Sequence, residues 1–159
     1  MLEGGAAAPF IRDHREIYMQ RHATAVWKGT IKEGSGTLDS QSGVLSSTPY
    51  SVKTRFEDES GKAGTNPEEL IAAAHAGCFA MQLSAFLTEN GTPPDSLEAK
   101  ALVTLVPGTG ITGSAITLKG TVPGIEEAKF MELAEKAKAN CPVSKALGAI
   151  DITLDASLA

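Results

Sequence analysis

Between Ile71 and Thr88 the chain carries hardly a charge: "IAAAHAGCFAMQLSAFLT" is Ala, Leu, Met and Phe with a few small polar residues. Strong helix signals flank it. Asn66 suits an N-cap, Pro67 falls at the favoured first helical position, and Glu69 lies three residues past the cap. "ENG" at 89–91 ends the run, with Gly91 suited to the left-handed position after a helix. The spacing predicts one helix from 67 to about 88. A helix apolar all round must be buried on most of its sides. In a chain of 159 residues that is a strong demand, and a second copy of the same helix is the natural partner.

The segments around the helix alternate. "HATAVWKGTI" (22–31) has period two, with Ala23, Ala25, Trp27 and Gly29 on one side. "TLDSQSGVL" (37–45) reads as a weaker second strand. "SSTPYSVKTRF" (46–56) reads as a third, with Pro49 near its start where a missing donor does least harm. After the helix, "SLEAKALVTLVP" (96–107) and "ITGSAITLKGTVPG" (111–124) form a strand pair. "IEEAKFMELAEKAKAN" (125–140) is amphipathic, with Ile125, Phe130, Leu133, Ala134 and Ala137 on one face. A short helix starts at Pro142, and "IDITLDASL" (150–158) is a last strand. Runs of strands separated by helices indicate an α+β fold. Residues 1–18 read as a leader or flexible extension, and 19–159 as a single domain. No apolar run is read as reaching the roughly 18 residues that span a bilayer. Net charge of −5 and a pI near 5.2 leave no basic surface for a nucleic-acid partner.

Two cysteines are too few for a disulfide scaffold in a chain of this length, which points to a reducing, cytoplasmic setting. Cys78 lies about three turns into the long helix. It fits a buried filler, or a nucleophile activated by a cation from elsewhere. Cys141, in "NCPVS", precedes a helix start, where free N–H groups lower a thiol's pKa. By local criteria it is the better nucleophile. His75 and Cys78 share a helix face, so His75, Cys78 and Cys141 form a conceivable zinc set. No CxxC or HExxH spacing supports that set, and a packed or hydrogen-bonded His75 is the simpler reading. Arg55 in "KTRFEDE" fits a surface residue paired with Glu57 or Asp58, or an inward-directed cation steadied by Glu68 or Glu69. Glu69 has the capping task, which leaves Glu68 free. No phosphate-cradling loop or cofactor motif is present.

Two segments together, "TNPEELIAAAHAGCF" and "KANCPVSKAL", closely resemble the osmotically inducible protein C (OsmC) family, whose sister subfamily is the organic hydroperoxide resistance proteins. The similarity runs from about Gln20 to the end. The resemblance implies antiparallel sheets wrapped around long central helices in an intertwined homodimer, with active sites at the subunit interface. It implies a thiol peroxidase acting on organic hydroperoxides, and more weakly on hydrogen peroxide, in oxidative and osmotic stress defence. No metal or prosthetic group is implied; an external dithiol, such as a lipoyl group, supplies electrons. By motif, Cys78 is then the peroxidatic thiol and Cys141 the resolving thiol. Arg55 and Glu68 are the charged partners of the site. An apolar helix wall including Phe79, Met81 and Leu83 is expected to favour apolar hydroperoxides.

Overall fold

The computed structural model describes residues 18–159. Most of the proposed 1–18 extension lies outside the described residues. The chain divides into two compact units that meet in sequence at Thr65 and Asn66.

The first unit holds an antiparallel sheet of β1 (Ala23–Lys28), β2 (Ser35–Ser40) and β3 (Thr48–Tyr50), in that order. Trp27 lies opposite Gly36, which in turn lies opposite Tyr50. A side chain at Gly36 would run into the Val26 carbonyl and the Tyr50 ring, so only glycine fits between the neighbouring strands. Trp27 and Tyr50 make a tilted ring contact at 5.4 Å across it. None of the three strands contains a fully buried residue.

The expected third strand is cut short. After Tyr50 the chain turns into a one-turn helix, α1 (Val52–Phe56). Ser51 is extended and its Oγ accepts from the Thr54 N–H at 3.1 Å, while the Ser51 N–H donates to Thr54 Oγ1 at 2.8 Å. This reciprocal cap satisfies groups that a strand would have had to pair across the sheet. Arg55 therefore sits in the last turn of a helix, not at the end of a strand. The loop that follows folds around Asp58, whose carboxylate accepts from the Ser60 N–H and hydroxyl and from the Ala63 N–H.

The second unit begins with α2 (Pro67–Glu89). Asn66 Oδ1 accepts from the Glu69 N–H at 2.9 Å, as the sequence predicts. At the other end Gly91 has φ +81°, and the Gly91 and Thr92 N–H groups return to the Thr88 and Leu87 carbonyls, both at 3.0 Å. This pattern caps the last carbonyls and stops the helix. A second sheet follows, ordered β4 (Ser96–Val106), β5 (Gly110–Thr121), β6 (Asp151–Leu158). Between β5 and β6 come α3 (Glu127–Asn140) and α4 (Pro142–Ala146). β4 and β5 are antiparallel, but β5 and β6 are parallel. The sheet is thus mixed, against the expectation of antiparallel sheets. Two helices, rather than a tight turn, carry the chain from the end of β5 to β6, and such a crossover permits parallel pairing.

The core lies in this unit. From Ser114 onward β5 alternates, with Ser114, Ile116, Leu118 and Gly120 inward. α3 lays Phe130, Leu133, Ala134 and Ala137 against them, and Phe130 occupies the space above Gly120, where any Cβ would come within 2.6 Å of its ring. α2 contributes His75, Phe79, Leu83 and Leu87, each four residues after the last. That is one buried stripe, not burial on most sides. Ala73, Gly77, Met81 and Ala85 form an exposed stripe of α2, with Met81 77% exposed. α2 is also long and apolar enough, at mean hydropathy 1.6, to span a membrane by length and composition. That corrects the expectation that no segment is. Its buried stripe packs on β4 and α3 instead. Phe79 and Leu83 are fully buried in this core, so of the expected apolar substrate wall only Met81 remains at the surface.

Candidate active site

α2 and α4 bring the two thiols together. Cys78 projects beside the buried stripe of α2 and is half-buried, whereas Cys141 is fully buried. Cys141 is the hinge between two helices. Its N–H closes α3 on the Ala137 carbonyl at 2.8 Å, and its carbonyl accepts from the Lys145 N–H at 3.0 Å to open α4. Pro142 supplies the fixed first helical residue. The thiols are close together, are not joined as a disulfide, and each acts on the other's ionisation.

Their environments differ. Burial pushes the Cys78 thiol above its ordinary value, and the Cys141 sulfur adds to this both as an acceptor and as a negative charge. The Val143 N–H pulls the other way. Burial also acts to raise Cys141. The Cys78 thiol, the Ser144 N–H and hydroxyl, and the Val143 N–H outweigh it and bring Cys141 below its ordinary value. These donors face the sulfur without closing a regular capping hydrogen bond. Within the second unit Cys141 is therefore the easier of the two thiols to ionise. That agrees with the helix-start argument from sequence. Access to solvent has the opposite order: only Cys78 has surface that an incoming molecule can reach.

His75 is fully buried one turn before Cys78. Its Nδ1 lies 2.7 Å from Ser114 Oγ and its Nε2 2.8 Å from Ser144 Oγ. Both ring nitrogens are thus engaged by serines, which leaves neither for a zinc ion and settles His75 as a hydrogen-bonded core residue. The sequence reading missed Ser114 and Ser144. The signal was there for Ser114: it sits in phase with Ile116 and Leu118 on the inward face of an alternating strand.

Burial holds His75 below its ordinary value, near 6.5, so the ring is neutral at pH 7. The unfolded chain then binds more protons than the folded one as pH falls below that value. Stability present above about pH 6.5 is lost as pH drops, and the loss levels off once the folded imidazole itself protonates. Urea midpoints should fall between pH 7.5 and 5.5, and fall less in His75→Gln.

Arg55, in the first unit, is exposed and lies over the Phe56 ring at 5.1 Å. Glu68 is half-buried in the first turn of α2. Ten residues separate it from Cys78, about 15 Å along the helix axis, which is beyond direct contact with the thiol.

The sequence and fold can be set beside known proteins. The family of OsmC-like proteins matches residues 58–155. The chain is 48% identical over 143 residues to the peroxiredoxin OsmC of Escherichia coli (strain K12), covering 88% of this chain and 97% of that protein. The chain belongs to the OsmC family. The OsmC resemblance extends to the organic hydroperoxide resistance protein OhrB of Bacillus subtilis (strain 168), 33% identical over 132 residues, with 80% of this chain and 94% of that protein covered. The crystal structure of a B. subtilis OhrB superposes with a TM-score of 0.61 at 27% identity, over 86% of this chain and 98% of that one. An OsmC protein from Legionella pneumophila shares the fold, with a TM-score of 0.65 at 23% identity, over 90% and 99% of the two chains. The α+β OsmC-like fold, two sheets with one long helix, is thus shared with these two proteins.

Proposed function

We propose that this chain is a thiol peroxidase that reduces organic hydroperoxides, and hydrogen peroxide more weakly, in oxidative and osmotic stress defence. The observation that carries the reading is the pair of unbonded thiols held side by side, one accessible and one buried, in a chain of the OsmC family. An accessible thiol can meet a peroxide. A buried neighbour can only meet what forms on the first. Cys78 is therefore the peroxidatic residue and Cys141 the resolving one.

The thiolate of Cys78 attacks one peroxide oxygen and the alkoxide departs from the other. Sulfur is oxidised to the sulfenic acid, and the O–O bond is reduced to an alcohol after protonation. Cys141 then attacks the sulfenic sulfur, forming the disulfide and releasing water. An external dithiol, of which a lipoyl group is one form, returns both thiols. Arg55 supplies fixed positive charge and hydrogen-bond donors to the Cys78 sulfur and the leaving oxygen, and Glu68 orients Arg55. The working chain is cytoplasmic, where the resting thiols stay reduced.

The working unit is a homodimer wound around α2, with its sites at the subunit interface. Two features support it. The exposed stripe Ala73, Gly77, Met81 and Ala85 would let a second helix approach closely at Gly77, where nothing stands within 4 Å of a Cβ. A three-stranded sheet without a buried residue also needs further cover to be stable. Sedimentation should give twice the 16.5 kDa chain mass, and Met81→Lys should shift it toward monomer.

The reading is tested by mixing the protein with a dithiol and either cumene hydroperoxide or hydrogen peroxide. Turnover of both is expected, with the larger kcat/KM for the alkyl hydroperoxide. No peroxide consumption would point to a non-catalytic dimer, and equal efficiencies would remove the substrate preference.

A further inference from the structure

Three polar side chains occupy core positions that their neighbours fill with apolar groups. His75 is in line with Phe79, Leu83 and Leu87 on α2; Ser114 is in phase with Ile116 and Leu118 on β5; Ser144 is buried on α4. Exposure is 0% for His75, 1% for Ser114 and 5% for Ser144. Burying such groups is costly unless each finds a partner. Here each does, and among the described residues no buried side-chain polar atom lacks one. The cluster does not end on itself. Ser144 lies three residues after Cys141 in the first turn of α4, and His75 three residues before Cys78 on α2, so the 2.8 Å His75–Ser144 bond joins the two helices one step from both thiols. Hydrogen bonds thus join Ser114, His75 and Ser144 through β5, α2 and α4, and the chain places Cys141 and Cys78 next along the same two helices.

Counting protons gives this line a direction. A neutral imidazole has one N–H and one acceptor nitrogen, and Ser144 has one O–H. If that O–H points at the Cys141 sulfur, the serine oxygen is left to accept, and Nε2 must carry the imidazole proton. Nδ1 then accepts from the Ser114 O–H. Every hydroxyl and imidazole donor is then used once. In the opposite polarity Nε2 accepts from Ser144, and the Cys141 thiolate loses a hydrogen-bond donor. The groups acting on the Cys141 sulfur are Cys78 from α2 and Val143 and Ser144 of α4. His75 is the further titratable group of the cluster, one bond removed.

We propose that His75 is a positioning residue for the resolving step: its Nε2–H holds the Ser144 oxygen so that the Ser144 hydroxyl donates to Cys141 and steadies that sulfur as it attacks Cys78. The proposal rests on Cys78 being the thiol that peroxide oxidises. In the step served, the Cys141 thiolate attacks the sulfenic sulfur of Cys78. The S–S bond forms and the S–O bond breaks. Hydroxide leaves with the electron pair and recovers the proton that Cys141 had given up. Net, one thiol and one sulfenic acid become a disulfide and water. Cys141 is oxidised and the sulfenic sulfur reduced. Once the disulfide has formed no anion remains, so the Ser144 proton is free to turn back to the imidazole.

The experiment separates the two phases of one turnover in the full chain. One equivalent of cumene hydroperoxide is mixed with reduced protein over a range of pH, quenched in acid, and the Cys78 sulfenate and the disulfide are measured by mass. Loss of the charge-assisted hydrogen bond should slow the disulfide phase roughly tenfold at pH 7 and move its pH midpoint upward in Ser144→Ala and in His75→Leu. Ser144→Thr, which keeps the hydroxyl, and His75→Gln, whose amide N–H can replace Nε2–H, should restore it. A merely structural role would lower stability without moving the midpoint. An unchanged midpoint in Ser144→Ala overturns the proposal while sulfenate still appears on Cys78. Absence of sulfenate on Cys78 in the unsubstituted chain instead overturns the reading beneath it. The ¹⁵N shifts of the His75 ring in the reduced, unsubstituted protein test the polarity without any variant. A proton on Nε2 is expected, and one on Nδ1 contradicts the proposal.

Discussion

Cys78→Ser should abolish hydroperoxide turnover, with a loss on the order of 10³-fold or more, the scale set by removing an enzymatic nucleophile. Serine keeps the size and the local hydrogen bonds but cannot be oxidised. Cys141 remains in the variant, and within its own unit it is the more acidic of the pair. The variant therefore weighs two physical effects against each other. If ionisation decides, Cys141 takes over and much activity survives. If access decides, the fully buried Cys141 sulfur stays idle. The account requires the second outcome, because a thiolate that no peroxide reaches cannot attack one. Initial rates of cumene hydroperoxide consumption with dithiothreitol, compared with the unsubstituted chain, measure it.

The second large effect concerns Arg55. Burial and the neighbouring Cys141 both raise the Cys78 thiol, so something must offset them for Cys78 to ionise near neutral pH. The Val143 N–H acts in that direction but does not prevail. A cation within about 4–6 Å lowers a neighbour's pKa by roughly 1–3 units. Arg55→Met should thus slow sulfenate formation by about 10- to 1,000-fold at pH 7, with the rate recovering as pH is raised through the elevated thiol pKa. Arg55→Lys should retain part of the effect, since charge is kept but the planar fork is lost. A pH–rate profile of the first turnover separates the two contributions. Raised pH would rescue ionisation, but not the hydrogen bonds to the leaving alkoxide that the proposal assigns to Arg55. A profile identical to that of the unsubstituted chain would remove Arg55 from the site.

What the sequence made legible follows from how local each signal is. The limits of α2 were readable because Asn66, Pro67 and Gly91 act on residues next to them. The helix at Val52–Phe56 was missed although Ser51 and Thr54 spell its cap, because the alternation before it ran on through Tyr50. The parallel pairing of β6 was not visible, since period two reports faces and not direction. At the site, the motifs named both cysteines, and the break before Pro142 showed why Cys141 is acidic. The pairing of His75 with its two serines was not legible, although the phase of β5 marks Ser114 as inward. The serines lie 39 and 69 residues away, and only the packing of β5 and α4 against α2 brings them to the ring.

The central claim is that Cys78 is oxidised first and Cys141 resolves it. It is tested most directly by giving one equivalent of cumene hydroperoxide to Cys141→Ser and to Cys78→Ser, trapping with dimedone, and locating the added mass by peptide mass spectrometry. The account predicts a dimedone adduct on Cys78 in Cys141→Ser and none on Cys141 in Cys78→Ser. An adduct that forms only in Cys78→Ser, on Cys141, would reverse the two roles and contradict it.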